Sequence, residues 1–73
     1  MPGRLKLSPL QREIAMILEE AGAETVGTVI ATLKPSDRGE FAAQVAGLVT
    51  LGLVREEKNN LALTERGRIA LRT

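Results

Sequence analysis

The chain has 73 residues, with ten Lys or Arg against nine Asp or Glu and a formal net charge of +1. It contains no Cys, His, Trp or Tyr, and Phe41 is its one aromatic residue. A thiol nucleophile, a disulfide framework, a Cys/His zinc site, a histidine general base and a row of aromatics for base stacking are thereby excluded.

The length allows one domain, residues 1–73, with residues 1–7 read as a basic N-terminal tail. No apolar run approaches the roughly 18 residues of a membrane span, and the start Met1-Pro2-Gly3-Arg4-Leu5-Lys6 lacks the apolar block of a signal peptide. Together with the lack of cysteine, this reads as a soluble cytoplasmic protein with no membrane partner. The small net charge hides a segregation. Residues 1–12 carry Arg4, Lys6 and Arg12 and no acid, whereas residues 13–24 carry Glu13, Glu19, Glu20 and Glu24 and no base. Residues 55–73 are basic again, through Arg55, Lys58, Arg66, Arg68 and Arg72.

Ser8-Pro9-Leu10-Gln11 predicts a helix start. Ser8 can cap, Pro9 suits the first helical position, and Gln11 completes a capping box. Leu10, Ile14, Ile17, Leu18 and Ala21 then share one helical stripe, and Gly22 closes a helix over 9–21. Thr25-Val26 reads as a short extended link. A second, short helix follows over 27–33, with Val29, Ile30 and Leu33 at helical spacing. Pro35 disfavours helix at Lys34. Ser36 or Asp37 is the expected cap of a third helix, Asp37 with Glu40 forming a second capping box. Phe41, Val45, Leu48 and Val49 are its expected buried stripe, with Leu51 at the edge, and Gly52 ends it so that Leu53 can pack back.

Residues 54–63 read as a hairpin, with Val54 on one flank and Leu61 and Leu63 alternating on the other. Its turn is expected within 57–60, where asparagine tolerates positive φ. Thr64 should cap a last helix over 65–71, with Ile69 and Leu71 as its apolar contacts. The expected core is Phe41, Val45, Leu48, Ile14, Ile17, Leu18, Val29, Ile30, Leu33, Leu61 and Leu63. The fold class is therefore mostly α with a small β-hairpin (α+β).

The phrase Leu48-Val49-Thr50-Leu51-Gly52-Leu53-Val54, the polar hairpin after it, and Leu61-Ala62-Leu63-Thr64-Glu65-Arg66-Gly67 resemble the end of a winged helix-turn-helix domain. Ser8-Pro9-Leu10-Gln11 resembles the start of that family's first helix, so the resemblance covers about residues 7–71. It implies three helices, a hairpin that serves as the wing, and a short C-terminal helix. It also implies double-stranded DNA as partner, with the third helix in the major groove and the wing on the backbone, as in a transcriptional regulator. Arg38, Arg55, Lys58, Lys34, Thr50, Arg4 and Lys6 are the candidate DNA contacts.

The third helix departs from that pattern. The face opposite Phe41, Val45 and Leu48 holds Gly39, Glu40, Ala43, Ala46, Gly47 and Thr50, with no Arg, Lys or Asn for a bidentate base contact, while Gln44 lies nearer the buried side. Gly39, Ala43 and Gly47 are four apart, as are Ala42 and Ala46, a spacing that lets another helix approach closely. A homodimer or protein-partner surface formed by Gly39, Ala43, Ala46 and Gly47 is the alternative function. Ser8 and Ser36 are both explained as caps, and the helix-one glutamates as a solvated face. No enzyme activity, cofactor or metal is expected.

Overall fold

The computed structural model describes residues 6–72. Their order is helix α1 (Pro9–Ala21), strand β1 (Ala23–Thr25), helix α2 (Val26–Thr32), a 3₁₀ segment (Pro35–Glu40), helix α3 (Phe41–Thr50), strands β2 (Val54–Glu57) and β3 (Asn60–Leu63), and helix α4 (Glu65–Arg72). The chain is mostly helical, with a small antiparallel sheet of order β1-β3-β2.

The α1 start forms as its residues dictate. Ser8 Oγ accepts from the Gln11 amide at 3.1 Å, and Gln11 Oε1 accepts from the Ser8 amide at 3.0 Å. Four orphan amides open every helix, and this reciprocal pair provides for one of them while also engaging the cap residue's own amide. The helix buries Ile14, Ala15 and Leu18 and ends with the Gly22 amide donating to the Leu18 carbonyl at 2.8 Å. At the α2 start, Thr25 Oγ1 accepts from the Thr28 amide at 3.3 Å.

The extended link expected at Thr25-Val26 is corrected: the extended residues are Ala23–Thr25, which form a further strand, and Val26 already opens α2. Ala23, Glu24 and Thr25 pair with Ala62, Leu61 and Asn60 of β3, and β2 pairs with the other edge of β3, Val54 opposite Leu63 and Glu57 opposite Asn60. The hairpin turns where expected, but the residue at positive φ is Lys58 (φ 52°), not an asparagine.

The start of the third helix is a correction. No side chain caps it: Pro35 to Glu40 wind as 3₁₀, and α3 begins at Phe41. The Asp37 amide donates to the Lys34 carbonyl at 2.9 Å. Proline at the first position fixes φ for a tight turn, and Gly39 adds no helix propensity, so local i→i+3 bonds win over an early α start. The α3 end is a Schellman motif: the Leu53 amide donates to the Leu48 carbonyl at 2.9 Å and the Gly52 amide to the Val49 carbonyl at 3.0 Å. Gly52 holds φ 77°, which glycine adopts without a Cβ penalty.

The core joins all layers. Ile14, Leu18, Val29, Leu33, Phe41, Val45, Leu48, Leu61 and Leu63 are buried as expected, and Ala15, Leu53, Val54 and Ala70 are buried with them. Ile17 and Ile30 are only half-buried against this cluster. Two further assignments are corrected. Val49 is 37% exposed and Ile69 59% exposed. Val49 lies about 80° around from Phe41 and leaves the stripe. On α4 the buried face is set by Gly67 and Ala70, which turns Ile69 outward.

Candidate functional site

The candidate surface is formed by the 3₁₀ segment, the outer side of α3 and the hairpin. Strand β2 packs on α3, and the hairpin turn reaches the start of α2, where the Val26 amide donates to the Asn59 carbonyl at 2.8 Å. Arg38 is exposed, yet its guanidinium is fixed in place. Nε donates to the Ile30 carbonyl at 3.1 Å and Nη2 to the Ala31 carbonyl at 3.2 Å. It thereby closes the C-terminal end of α2, adding to the Leu33 amide that donates to the Ile30 carbonyl at 3.1 Å and reaching the Ala31 carbonyl beyond it. A guanidinium has five N–H donors, so three remain for a ligand. Lys34 is exposed at the entry to the 3₁₀ segment, in a cleft it shares with Glu13, Asp37 and Glu40.

On the hairpin, Arg55 and Glu57 lie on the same side of β2, and Arg55 Nη2 stands 3.9 Å from Glu57 Oε1. This is a loose pair between exposed side chains, of little energetic consequence. Lys58 is exposed at the turn. Lys6 is exposed ahead of α1, and Arg4 lies outside the described residues. Thr50 is exposed at the last position of α3. The candidate DNA contacts among the described residues therefore do not form one dense basic patch, and each cation among Lys34, Arg38 and Arg55 has an acidic neighbour or a carbonyl partner.

The small-residue positions divide. Gly39 sits in the 3₁₀ segment rather than on α3. Gly47 is half-buried, and a Cβ built there would stand 3.1 Å from Gln11 Nε2. Ala42, Ala43 and Ala46 are exposed on α3 with Val49 and Thr50, and Leu51 beyond them is 39% exposed. Gln44 is half-buried and its Oε1 accepts from Ser8 Oγ at 3.3 Å, which ties α3 to the α1 cap. The outer side of α3 is thus uncharged and largely apolar.

Sequence reasoning missed Arg12, whose Nη1 donates to the Leu71 carbonyl of α4 at 3.2 Å, and the 3.4 Å pair of Arg72 with Glu19. A contact 59 residues apart has no local signal. Among the described residues no group of three or more acidic, His or Cys side chains is placed to hold a metal ion, and no helix is long and apolar enough to cross a membrane. The chain matches no known protein-family model, no curated protein and no solved structure.

Proposed function

We propose that the chain is a winged-helix module that holds double-stranded DNA by its phosphate backbone, as a small cytoplasmic regulator of transcription would, and carries out no reaction. The order of helix, strand, helix, helix and hairpin supports this reading, in agreement with the phrases at 48–54 and 61–67. The observation that carries it is Arg38. Its guanidinium is held rigidly at the approach to α3 by two backbone carbonyls, with donors left over, while Lys58 stands exposed on the adjacent hairpin. An arginine whose rotamer is already fixed loses less entropy on meeting a phosphate.

Selectivity should be slight. The exposed side of α3 has Thr50 as its one side-chain donor after Phe41, and a bidentate base contact needs Arg, Lys, Asn or Gln. The test is a salt-dependent titration against mixed duplex DNA. Engagement of Lys34, Arg38, Arg55 and Lys58 gives a log–log slope as steep as about −3.6, at roughly −0.9 per phosphate. Lys34→Ala with Lys58→Ala should flatten the slope by about 2 and weaken all sequences alike. No binding at low salt, or no change in the double variant, refutes the reading.

A second reading has its own observation. Ala42, Ala43, Ala46, Val49 and Leu51 make an uncharged exposed strip along and just beyond α3. Protein surfaces that contact other proteins are depleted of charge at their centres. Ala46→Arg distinguishes the two. It adds a cation beside the duplex and should tighten DNA binding if α3 faces DNA. If α3 faces a protein, duplex affinity stays unchanged.

A further inference from the structure

The α1 and α4 helices lie against each other, and the outward side of this pair has features that neither DNA contact nor the core explains. Met16 is 56% exposed and Ile69 59% exposed. Arg12, Met16 and Glu19 run along α1 at i, i+4 and i+7. The two ends of that row reach α4, Arg12 at the Leu71 carbonyl and Glu19 at Arg72. Met16 therefore stands beside the seam. On α4, Ile69 and Arg72 are three apart and share a side, which brings Ile69 to the same seam. An open, mostly apolar groove runs along the outward face of α1, lined by Arg12, Met16, Ile17 and Glu20 among others and by no residue of α4.

The charges around the two apolar residues are opposite. Within α1 itself, Glu13, Glu19 and Glu20 lie within four residues of Met16 and Arg12 is the one base among them, a formal charge of −2. Within α4 itself, Arg66, Arg68 and Arg72 lie within four residues of Ile69 and Glu65 is the one acid among them, a formal charge of +2. Within one chain a single ion pair, Arg72 with Glu19, crosses the seam, and Glu13, Glu20 and Arg68 have no ion-pair partner among the described residues. A twofold axis places the α1 side of one copy on the α4 side of the other, and the complementarity is then satisfied twice.

We infer that the outer face of the α1–α4 pair is a homodimer interface, with Met16 of each copy packed toward Ile69 of the other and acidic α1 set against basic α4. The occupant is a second copy of this chain because the patch contains both halves of the match. A standard interface takes about 800 Å² from each partner, roughly one-sixth of the 4802 Å² surface of this chain. The inference is independent of DNA binding.

Sedimentation of the full chain across a wide concentration range tests it. The parent should move from monomer to dimer mass, more completely at low salt, because the charged rim is screened as salt rises. Met16→Glu should shift the midpoint at least tenfold to higher concentration while its thermal melt at low concentration stays that of the parent. Glu20→Arg should weaken association, and Glu20→Arg combined with Arg68→Glu should restore part of it, which a merely structural role for either residue does not predict. Ala43→Arg should leave the dimer intact. A parent that remains monomeric at the highest concentration overturns the inference, whatever then covers the face. So does a dimer that survives Met16→Glu and is lost with Ala43→Arg.

Discussion

Gly67→Ala separates tertiary packing from helix propensity more sharply than any other change in this chain. Gly67 is the third residue of α4, and propensity alone says that alanine there should stabilise by up to about 1 kcal/mol. The surroundings say the opposite. A Cβ built on Gly67 would stand 2.2 Å from the Leu53 carbonyl oxygen, 2.7 Å from Leu63 Cδ1 and 3.0 Å from Leu63 Cγ. The Leu53 carbonyl cannot retreat easily. It accepts from the Thr64 amide at 3.0 Å, and the Leu53 amide is itself tied to the Leu48 carbonyl at 2.9 Å in the α3 cap. Thr64 is held as well, its Oγ1 donating to the Gly52 carbonyl at 2.7 Å and accepting from the Gly67 amide at 3.0 Å. A carbon–oxygen contact relaxes only near about 3.3 Å, so α4 has to withdraw by roughly 1 Å.

That withdrawal loosens Ala70, which is 7% exposed, and strains the Thr64 bonds. Overpacking of a tight site costs about 1–3 kcal/mol, and a clash this deep with a tethered carbonyl belongs at about 2–3 kcal/mol, so the net loss after a propensity gain of about 1 kcal/mol should be about 1–2 kcal/mol. For a domain of this size each kcal/mol moves the melting temperature by roughly 4–8 °C, giving a fall of about 4–16 °C. Gly27→Ala is the control. It also sits in a helix, α2, but nothing stands within 4 Å of the added Cβ. Its melt should stay level or rise by a few degrees. The measurement is a thermal melt by circular dichroism, with urea denaturation for the free energy. If Gly67→Ala melts at or above the parent temperature, the close approach of α4 to Leu53 is not what holds that helix.

Leu48→Ala removes a fully buried side chain that packs beneath the Schellman cap and should cost about 2–5 kcal/mol in urea unfolding. Lys58→Gly should raise stability by about 0.5–1 kcal/mol because Lys58 holds φ 52°, and the same variant should weaken duplex binding, so the two readouts move in opposite directions. Arg38→Gln should lower the melt by roughly 1 kcal/mol equivalent through loss of the two carbonyl contacts, and amide exchange should quicken in α2 before it does in α1.

The elements legible in the sequence were those whose signals are local. Ser8 and Gln11 lie three residues apart and form the reciprocal cap their types suggest, and Gly52 followed by Leu53 closes α3 as expected. The hairpin was legible because Leu61 and Leu63 alternate against Val54. Strand β1 was not. It is three residues long, Ala-Glu-Thr, without apolar alternation, and exists because the β3 edge is there to pair with it. Asp37 and Glu40 misled for a different reason. Their spacing is right for a capping box, but Pro35 commits the chain to a 3₁₀ turn first. Ile69 misled because apolar periodicity takes no account of how closely a backbone can approach. Gly67 and Ala70 let α4 lie flat on Leu53 and Leu63, and the larger Ile69 is left outside. At the candidate site the lack of base readers on α3 was legible, whereas the anchoring of Arg38 to α2 was not, since neither carbonyl it meets differs in sequence from any other.

The use made of arginine connects fold to function. Helix α2 has seven residues and α4 has eight, well below the roughly 12–15 at which an isolated helix becomes marginally stable. Each gains from an added contact near its C-terminal end. In both cases an arginine from another element supplies it, Arg38 for α2 and Arg12 for α4. Lysine does not replace Arg38 well, because one ammonium is a point donor and cannot match the fork that spans Ile30 and Ala31. Arg38 therefore serves stability whatever else it touches, and a loss of DNA binding in an Arg38 variant is ambiguous on its own. Lys58 is free of that ambiguity. Its backbone conformation costs stability rather than supplying it, so a residue chosen only for the fold would be glycine or asparagine there. A loss of duplex binding in a Lys58 variant that is not destabilised therefore reports on what the side chain meets rather than on what it holds.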